Sequence, residues 1–164
     1  MGSAPTSSQW AVVIDANVLI AICARQREKL SQAEAAVKEY ASKRWLFYAP
    51  GVAVGEVLYV LCRKLLNGYL TPLKYEEAVQ NFQDQMTAVL PPPCGDASFI
   101  ARADEIRNGY GCSRSVDSLY IPLAEELGRS ATVRLMTFDQ DLEKQAVTNA
   151  PSVNVHLLLP TPSP

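Results

Sequence analysis

Apolar and polar positions along this chain follow two alternating rhythms. Ala11-Val-Val-Ile14 is a short, β-branched apolar run, which predicts a strand buried on both faces. From Val18 to about Ala41 the spacing becomes helical, with Leu30, Ala33, Val37 and Tyr40 on one face. The charged stretch Arg25-Gln-Arg-Glu-Lys29 interrupts it, so two helical pieces are expected, and the stretch itself reads as a solvated helix end or a phosphate contact. Trp45 to Tyr48 predicts a second strand, stopped by Pro50. A helix is expected next from about Gly51 to Leu66, with Pro50 near its first turn, where proline is tolerated.

Gly68 ends that helix, and Pro72 opens another carrying Tyr75, Ala78, Val79 and Phe82. Met86 to Leu90 predicts a third strand, closed by Pro91-Pro-Pro93. A helix from about Ala97 to Arg107 and a loop over Asn108-Gly-Tyr-Gly111 come next. Ser115 is suited to cap a helix that runs to Leu127 and stops at Gly128. Arg134 to Phe138 predicts a fourth strand, Asp139 to about Val147 a short helix, and Val153 to Leu159 a fifth strand. Strands alternating with helices predict a single three-layer α/β domain, with a mostly parallel sheet of about five strands and helices on both faces.

Composition narrows the class. At 164 residues, with 48% hydrophobic and 20% charged residues, the chain suits one globular domain over residues 10–159. Residues 1–9 are small and polar, with Met1-Gly-Ser3 of the kind left by cloning, and residues 160–164 are proline-rich; both are expected to be disordered tails. No apolar run is long enough for a membrane span, so no membrane association is expected. Cys23, Cys62, Cys94 and Cys112 form no C-x-x-C pair, which argues against zinc and for reduced, buried thiols in a cytoplasmic protein. A net charge of −2 argues weakly against a nucleic-acid coat protein but leaves a nuclease open, because local patches attract phosphate. His156 is the single histidine, so mechanisms needing two are excluded, and its place in the last apolar run suits a structural role.

Four acids stand where strands end or where a buried helix passes. They are Asp15 after the first strand, Glu56 in an apolar helix, Asp117 in a first helical turn and Asp139 after the fourth strand. Each has an innocent explanation. Asp15 and Asn17 suit a strand-to-helix turn, Asp139 suits an N-cap, Asp117 suits a helix dipole, and Glu56 would be satisfied by an arginine. Four carboxylates gathered at one place would repel one another unless a cation compensates. Oxygen ligands without His or Cys suit Mg²⁺ or Mn²⁺, and such an ion in a parallel sheet is apparatus for phosphoryl chemistry.

Val13-Ile-Asp-Ala-Asn-Val-Leu-Ile20 resembles the opening motif of PIN-domain nucleases, and the resemblance runs from about Val12 to Leu158. In that family's order, Pro50 through Glu56-Val-Leu58 matches the second motif, Asp117-Ser-Leu-Tyr-Ile-Pro-Leu-Ala-Glu125 the third and Thr137-Phe-Asp139 the fourth. The resemblance implies an acidic Mg²⁺ or Mn²⁺ pocket and endonucleolytic cleavage of RNA. It also implies a VapC-like toxin of a toxin–antitoxin pair, a homodimer held inactive by an antitoxin protein. Carried over, Asp15, Glu56, Asp117 and Asp139 would hold metal directly or through water, while Asn17 and Thr137 would orient them. Pro122 departs from this picture, because it deletes a helical bond to Ser118 and predicts a kink beneath Asp117. Asp141 lies close to Thr137 as well, but a helix starting near Gln140 would turn it outward.

Two other classes fit parts of the pattern. An aspartyl-phosphate phosphatase of the haloacid dehalogenase type wants a second acid where Asn17 stands, and a receiver domain wants paired acids and a late lysine. A non-catalytic PIN scaffold that binds protein or RNA would not need all four acids. A partner surface on the helix of Tyr75, Val79 and Phe82 is an expectation of the dimer reading; closure of the protein's own core is the alternative.

Overall fold

The computed structural model describes residues 9–109 and 119–162. Within them five strands, β1 (Gln9–Ile14), β2 (Leu46–Tyr48), β3 (Val89–Leu90), β4 (Ala131–Thr137) and β5 (Asn154–Leu157), form one sheet in the order β3-β2-β1-β4-β5. Every neighbouring pair is parallel. β1 is central, and its residues Ala11 to Ile14 are almost wholly inaccessible, as a strand covered on both faces requires.

The chain leaves β1 toward β2 and β3 on one side and later returns to β4 and β5 on the other. Right-handed crossovers then place α1 (Ala16–Cys23), α2 (Leu30–Ser42), α3 (Val52–Leu66) and α4 (Pro72–Met86) on one face. They place α5 (Ile100–Gly109), α6 (Tyr120–Gly128) and α7 (Gln140–Asn149) on the other. α1 packs against α2, α3 and α4, while α6 lies across β1 and β4. Leu19 of α1 and Leu61 of α3 are fully buried, each removal of such a side chain from water stabilising the fold by about 1.5–3 kcal/mol. No helix among the described residues is long and apolar enough to cross a membrane.

Several expectations shift in detail. The break at residues 24–29 separates α1 from α2 as the charge pattern predicts. The third strand shrinks to Val89–Leu90, because α4 keeps its helical hydrogen bonding through Met86. Asp96 to Phe99 form a 3-10 turn ahead of α5, which continues through Asn108 and Gly109 instead of ending in a loop there. Phe82 is buried and Tyr75 and Val79 pack against the core, so this face of α4 closes the protein's own interior and is not a free partner surface. Cys23 is buried, its thiol pushed up to about 11 by that burial, but Cys62 and Cys94 are exposed, contrary to the expectation of buried thiols. Ser115, Asp117 and Cys112 lie outside the described residues. Among the described residues α6 runs from Tyr120 to Gly128, with Pro122 in its first turn, where a missing N–H is tolerated.

Candidate active site

The order of the sheet creates one switch point, between β1 and β4, where successive connections leave in opposite directions. In open α/β sheets the carboxyl ends of the strands at such a point border the ligand crevice. Asp15 directly follows β1 and Thr137 ends β4, so both acid-bearing motifs meet there.

Asp15 is buried, with its extended backbone forming the entry to α1. Its side chain makes no capping bond to that helix. Instead its Oδ2 accepts a 2.6 Å hydrogen bond from Thr137 Oγ1. The turn explanation for Asp15 therefore accounts for its backbone and leaves its carboxylate facing β4. Thr137 is fully buried and its hydroxyl is used three times. It donates to Asp15, and it accepts from Asn17 Nδ2 at 3.1 Å and from the Asp139 backbone N–H at 2.8 Å. Asn17 Oδ1 in turn accepts from the Phe138 N–H at 3.1 Å. The first turn of α1 is thus bolted to the β4–α7 junction through side chains 120 residues apart.

Asp139 occupies the N-cap of α7, its Oδ1 accepting from the N–H groups of Asp141 and Leu142. The N-cap explanation for this residue is correct for one carboxylate oxygen. Asp141 sits in the first turn of α7, exposed, and pairs with Lys144 at 3.2 Å. The helix starts at Gln140, as the spacing predicts, and it turns Asp141 away from the Thr137 network.

Glu56 rises from α3 and is half-buried, with Val54 and Leu58 beside it more open than a sealed apolar cage would be. Among the described residues no arginine pairs with it. Its Oε2 accepts a short hydrogen bond from the Tyr120 hydroxyl, which itself accepts from the Ala16 N–H at 3.3 Å. Desolvation pushes the Glu56 carboxyl above its ordinary range, with the Tyr120 bond working the other way. Burial, followed by the negative charges of Asp15 and Glu56, drives the Tyr120 phenol far above its ordinary range. One buried hydroxyl therefore feels carboxylates from two separate elements and links Glu56 to the first turn of α1.

Tyr120 carries none of the expectations drawn from the sequence, although it lies inside the Asp117 motif. Its signal is legible afterwards: it is the one polar tip in Leu119-Tyr-Ile-Pro-Leu-Ala124, and a buried tyrosine hydroxyl needs a partner. Lys29, from the charged break, reaches over the Phe138 ring at 5.2 Å and brings a cation to the rim of this crevice. Among the described residues no group of three His, Cys, Asp or Glu side chains stands close enough to hold an ion. The described donors are nonetheless all oxygen, as Mg²⁺ or Mn²⁺ prefers, and a carboxylate raised by desolvation is relieved by a cation.

A family model for the PIN domain matches residues 12–147. The chain belongs to the PIN domain family. Its fold is similar to that of three solved structures at low sequence identity. VapBC2 from Rickettsia felis, bound to a DNA fragment from its promoter, has a chain 9% identical, with a TM-score of 0.60 over 90% of this chain and 98% of that one. PAE2754 from Pyrobaculum aerophilum is 14% identical, with a TM-score of 0.54 over 92% of this chain and 88% of that one. FitAcB from Neisseria gonorrhoeae is 14% identical, with a TM-score of 0.55 over 88% of this chain and 95% of that one. No curated protein matches this PIN domain.

Proposed function

We propose that this PIN domain is a divalent-metal-dependent endoribonuclease and the toxin of a type II toxin–antitoxin pair. The observation that carries the reading is the buried Asp15 carboxylate at the sheet's switch point, held by Thr137 and joined through the first turn of α1 and Tyr120 to Glu56. A structural strand end gains nothing from burying an acid beside another, whereas phosphodiester hydrolysis needs oxygen ligands fixed there. Asp15, Glu56 and Asp139, with Asp117, would hold Mg²⁺ or Mn²⁺ directly or through water. The bound ion would lower the pKa of a water and offset charge growing on the phosphate.

The chain's own part is positioning. Thr137 and Asn17 fix the aim of Asp15 and tie it to Asp139, whose second oxygen is left for the crevice while the first caps α7. Tyr120 holds Glu56 at the same helix end. Water adds to phosphorus as the bond to the leaving ribose oxygen breaks, and a carboxylate of this set takes the water's proton. The same reading makes the protein cytoplasmic, with an antitoxin protein as partner. It also makes it a homodimer, for which the exposed Leu58, Tyr59 and Leu66 of α3 offer a better face than α4.

Incubation with single-stranded or loop RNA tests this. Cleavage is expected with Mg²⁺ or Mn²⁺, lost with chelator and lost in Asp15→Asn, whose amide oxygen still accepts the Thr137 bond and keeps the fold. Full cleavage in excess EDTA would overturn the metal mechanism, and sedimentation showing only monomer at micromolar concentration would overturn the dimer.

A further inference from the structure

We propose that the opposite end of the same sheet, around Trp10, Trp45 and Arg134, is a stacking platform for single-stranded RNA, separate from the acidic crevice. The proposal takes RNA as the ligand on the strength of the nuclease reading. Its geometry stands independently.

The pairing of Ala11 with Leu46 sets Trp10 beside Trp45, and the two rings lie 4.9 Å apart at 40°. Arg134 pairs with Val12 on the other side of β1, so it shares the face of Trp10 two residues along. Its guanidinium lies 5.9 Å over the Trp45 ring. Tyr40, buried under this face, stacks on Trp45 at 4.8 Å and accepts a 3.4 Å hydrogen bond from Arg134 Nη1. The Tyr40 hydroxyl is also 2.7 Å from His156 Nδ1, which pins the group from β5. These are the chain's only two tryptophans, and Trp10 keeps 44% of its surface exposed although the sheet interior begins at the next residue.

Cations outnumber acids around these rings. Arg134 lies over Trp45, Lys43 and Arg44 directly precede Trp45 in the chain, and all three are exposed; the acid Glu39 pairs with Lys43 and its charge also reaches Arg134 and His156. A chain of net charge −2 thus carries a local basic patch. Arg44 holds a left-handed backbone, φ 59°, that glycine or asparagine would adopt at less cost; with it the turn delivers Trp45 directly from α2 to the face.

Rings and cations together select the occupant. An acidic peptide would meet the cations and leave the indole faces unused, and an apolar peptide would bury the indoles against unmatched charge. A single-stranded nucleic acid uses both, stacking bases on aromatic rings and setting phosphates by Arg and Lys. Five residues of buried strand separate Trp10 from Asp15, roughly 16 Å through the sheet interior, so a dinucleotide would not span both.

Both tryptophans lie in the platform, so intrinsic fluorescence reads it directly. Wild-type protein is titrated with a 12-nucleotide single-stranded RNA in EDTA, which prevents cleavage, and the affinities of variants are read by anisotropy of the labelled RNA. Saturable quenching is expected, with Trp10→Ala and Arg134→Gln each weakening binding about tenfold and Trp10→Phe close to wild type. With metal, the same variants raise KM for the 12-mer and leave dinucleotide cleavage unchanged. Unchanged fluorescence at saturating RNA, or wild-type affinity in Trp10→Ala of intact circular dichroism, overturns the platform. Quenching that depends on Trp10 without cleavage under any metal leaves the platform standing and removes the nuclease reading.

Discussion

The two ends of β1 are built on opposite principles. At its carboxyl end, Asp15 is buried and every polar atom of Thr137 is committed to a neighbour. At its amino end, Trp10 and Arg134 are exposed and touch their neighbours through ring faces. Strand geometry alone does not distinguish the two ends. The difference lies in the connections, because the carboxyl ends of β1 and β4 turn straight into helices whose first N–H groups and caps crowd the crevice. The amino ends of β2 and β4 are instead reached through short turns after α2 and α6. Fixed hydrogen bonds make the first end rigid, and dispersion and charge make the second adaptable. A rigid acidic end suits chemistry at a defined atom, and an adaptable aromatic end suits contact with a chain of variable sequence.

Breaking the rigid end should have the larger effect. Thr137→Val removes a hydroxyl that donates to Asp15 and accepts from Asn17 and the Asp139 N–H, with no water available at a fully buried position. Each unsatisfied buried group costs about 1–3 kcal/mol, and partial relaxation makes a loss of about 2–4 kcal/mol the expectation. Urea denaturation should show it as a lower midpoint with unchanged slope. Thr137→Ser, which keeps the hydroxyl, should recover most of the loss. A valine variant as stable as wild type would mean that the network orders the site without holding the fold.

This contrast also explains which features are legible in the sequence. The strand–helix alternation, the break at Arg25 to Lys29 and the start of α7 at Gln140 follow from periodicity and local propensity, and all are present. Asp15, Asn17, Thr137 and Asp139 can be brought together on paper because the ends of adjacent parallel strands must converge. The third strand is shorter than Met86 to Leu90 suggests, because an apolar run does not distinguish a helix end from a strand. Tyr120 escapes a local reading because its role depends on a partner, Glu56, 64 residues away on another helix. The Trp10–Trp45–Arg134 group escapes for the same reason, since strand register, which local pattern does not give, brings its members together. Cys62 belongs to an apolar helix and is exposed all the same, because that helix leaves one apolar side open.

Acid titration sharpens the comparison at the adaptable end. Burial, then the charge of Arg134, holds the His156 imidazole below the ordinary histidine range, with Glu39 acting in the opposite direction. Tyr40, Arg134 and Glu39 are the groups facing it. The unfolded chain therefore binds a proton more readily than the folded one. The histidine's contribution to stability is complete above about pH 6.5 and is lost as pH falls from there through the folded value. Denaturation midpoints should decline from pH 7.5 to 5.5 in wild type and decline less in His156→Gln. An identical decline in both would assign it to other groups.

The smallest effect is expected at Asp141, and it tests how sharply the rigid end is bounded. Asp139 and Asp141 are two residues apart, and on a continued strand both would face the crevice. Because α7 begins between them, Asp139 keeps its carboxylate at the junction and Asp141 is turned out to Lys144. What Asp141 offers is a favourable place near a helix N-terminus and an exposed ion pair, each worth under about 1 kcal/mol. Asp141→Asn should therefore lower stability by less than about 1 kcal/mol and leave Mn²⁺ affinity and RNA cleavage near wild type. Asp139→Asn should also remain folded, since asparagine caps a helix as well as aspartate does, yet it should lose Mn²⁺ affinity and cleavage severely. Parallel metal titrations and cleavage rates on the two variants separate the outcomes. Equal losses would mean that the crevice extends past the first turn of α7, and that Asp141 exchanges its bond to Lys144 for the ion.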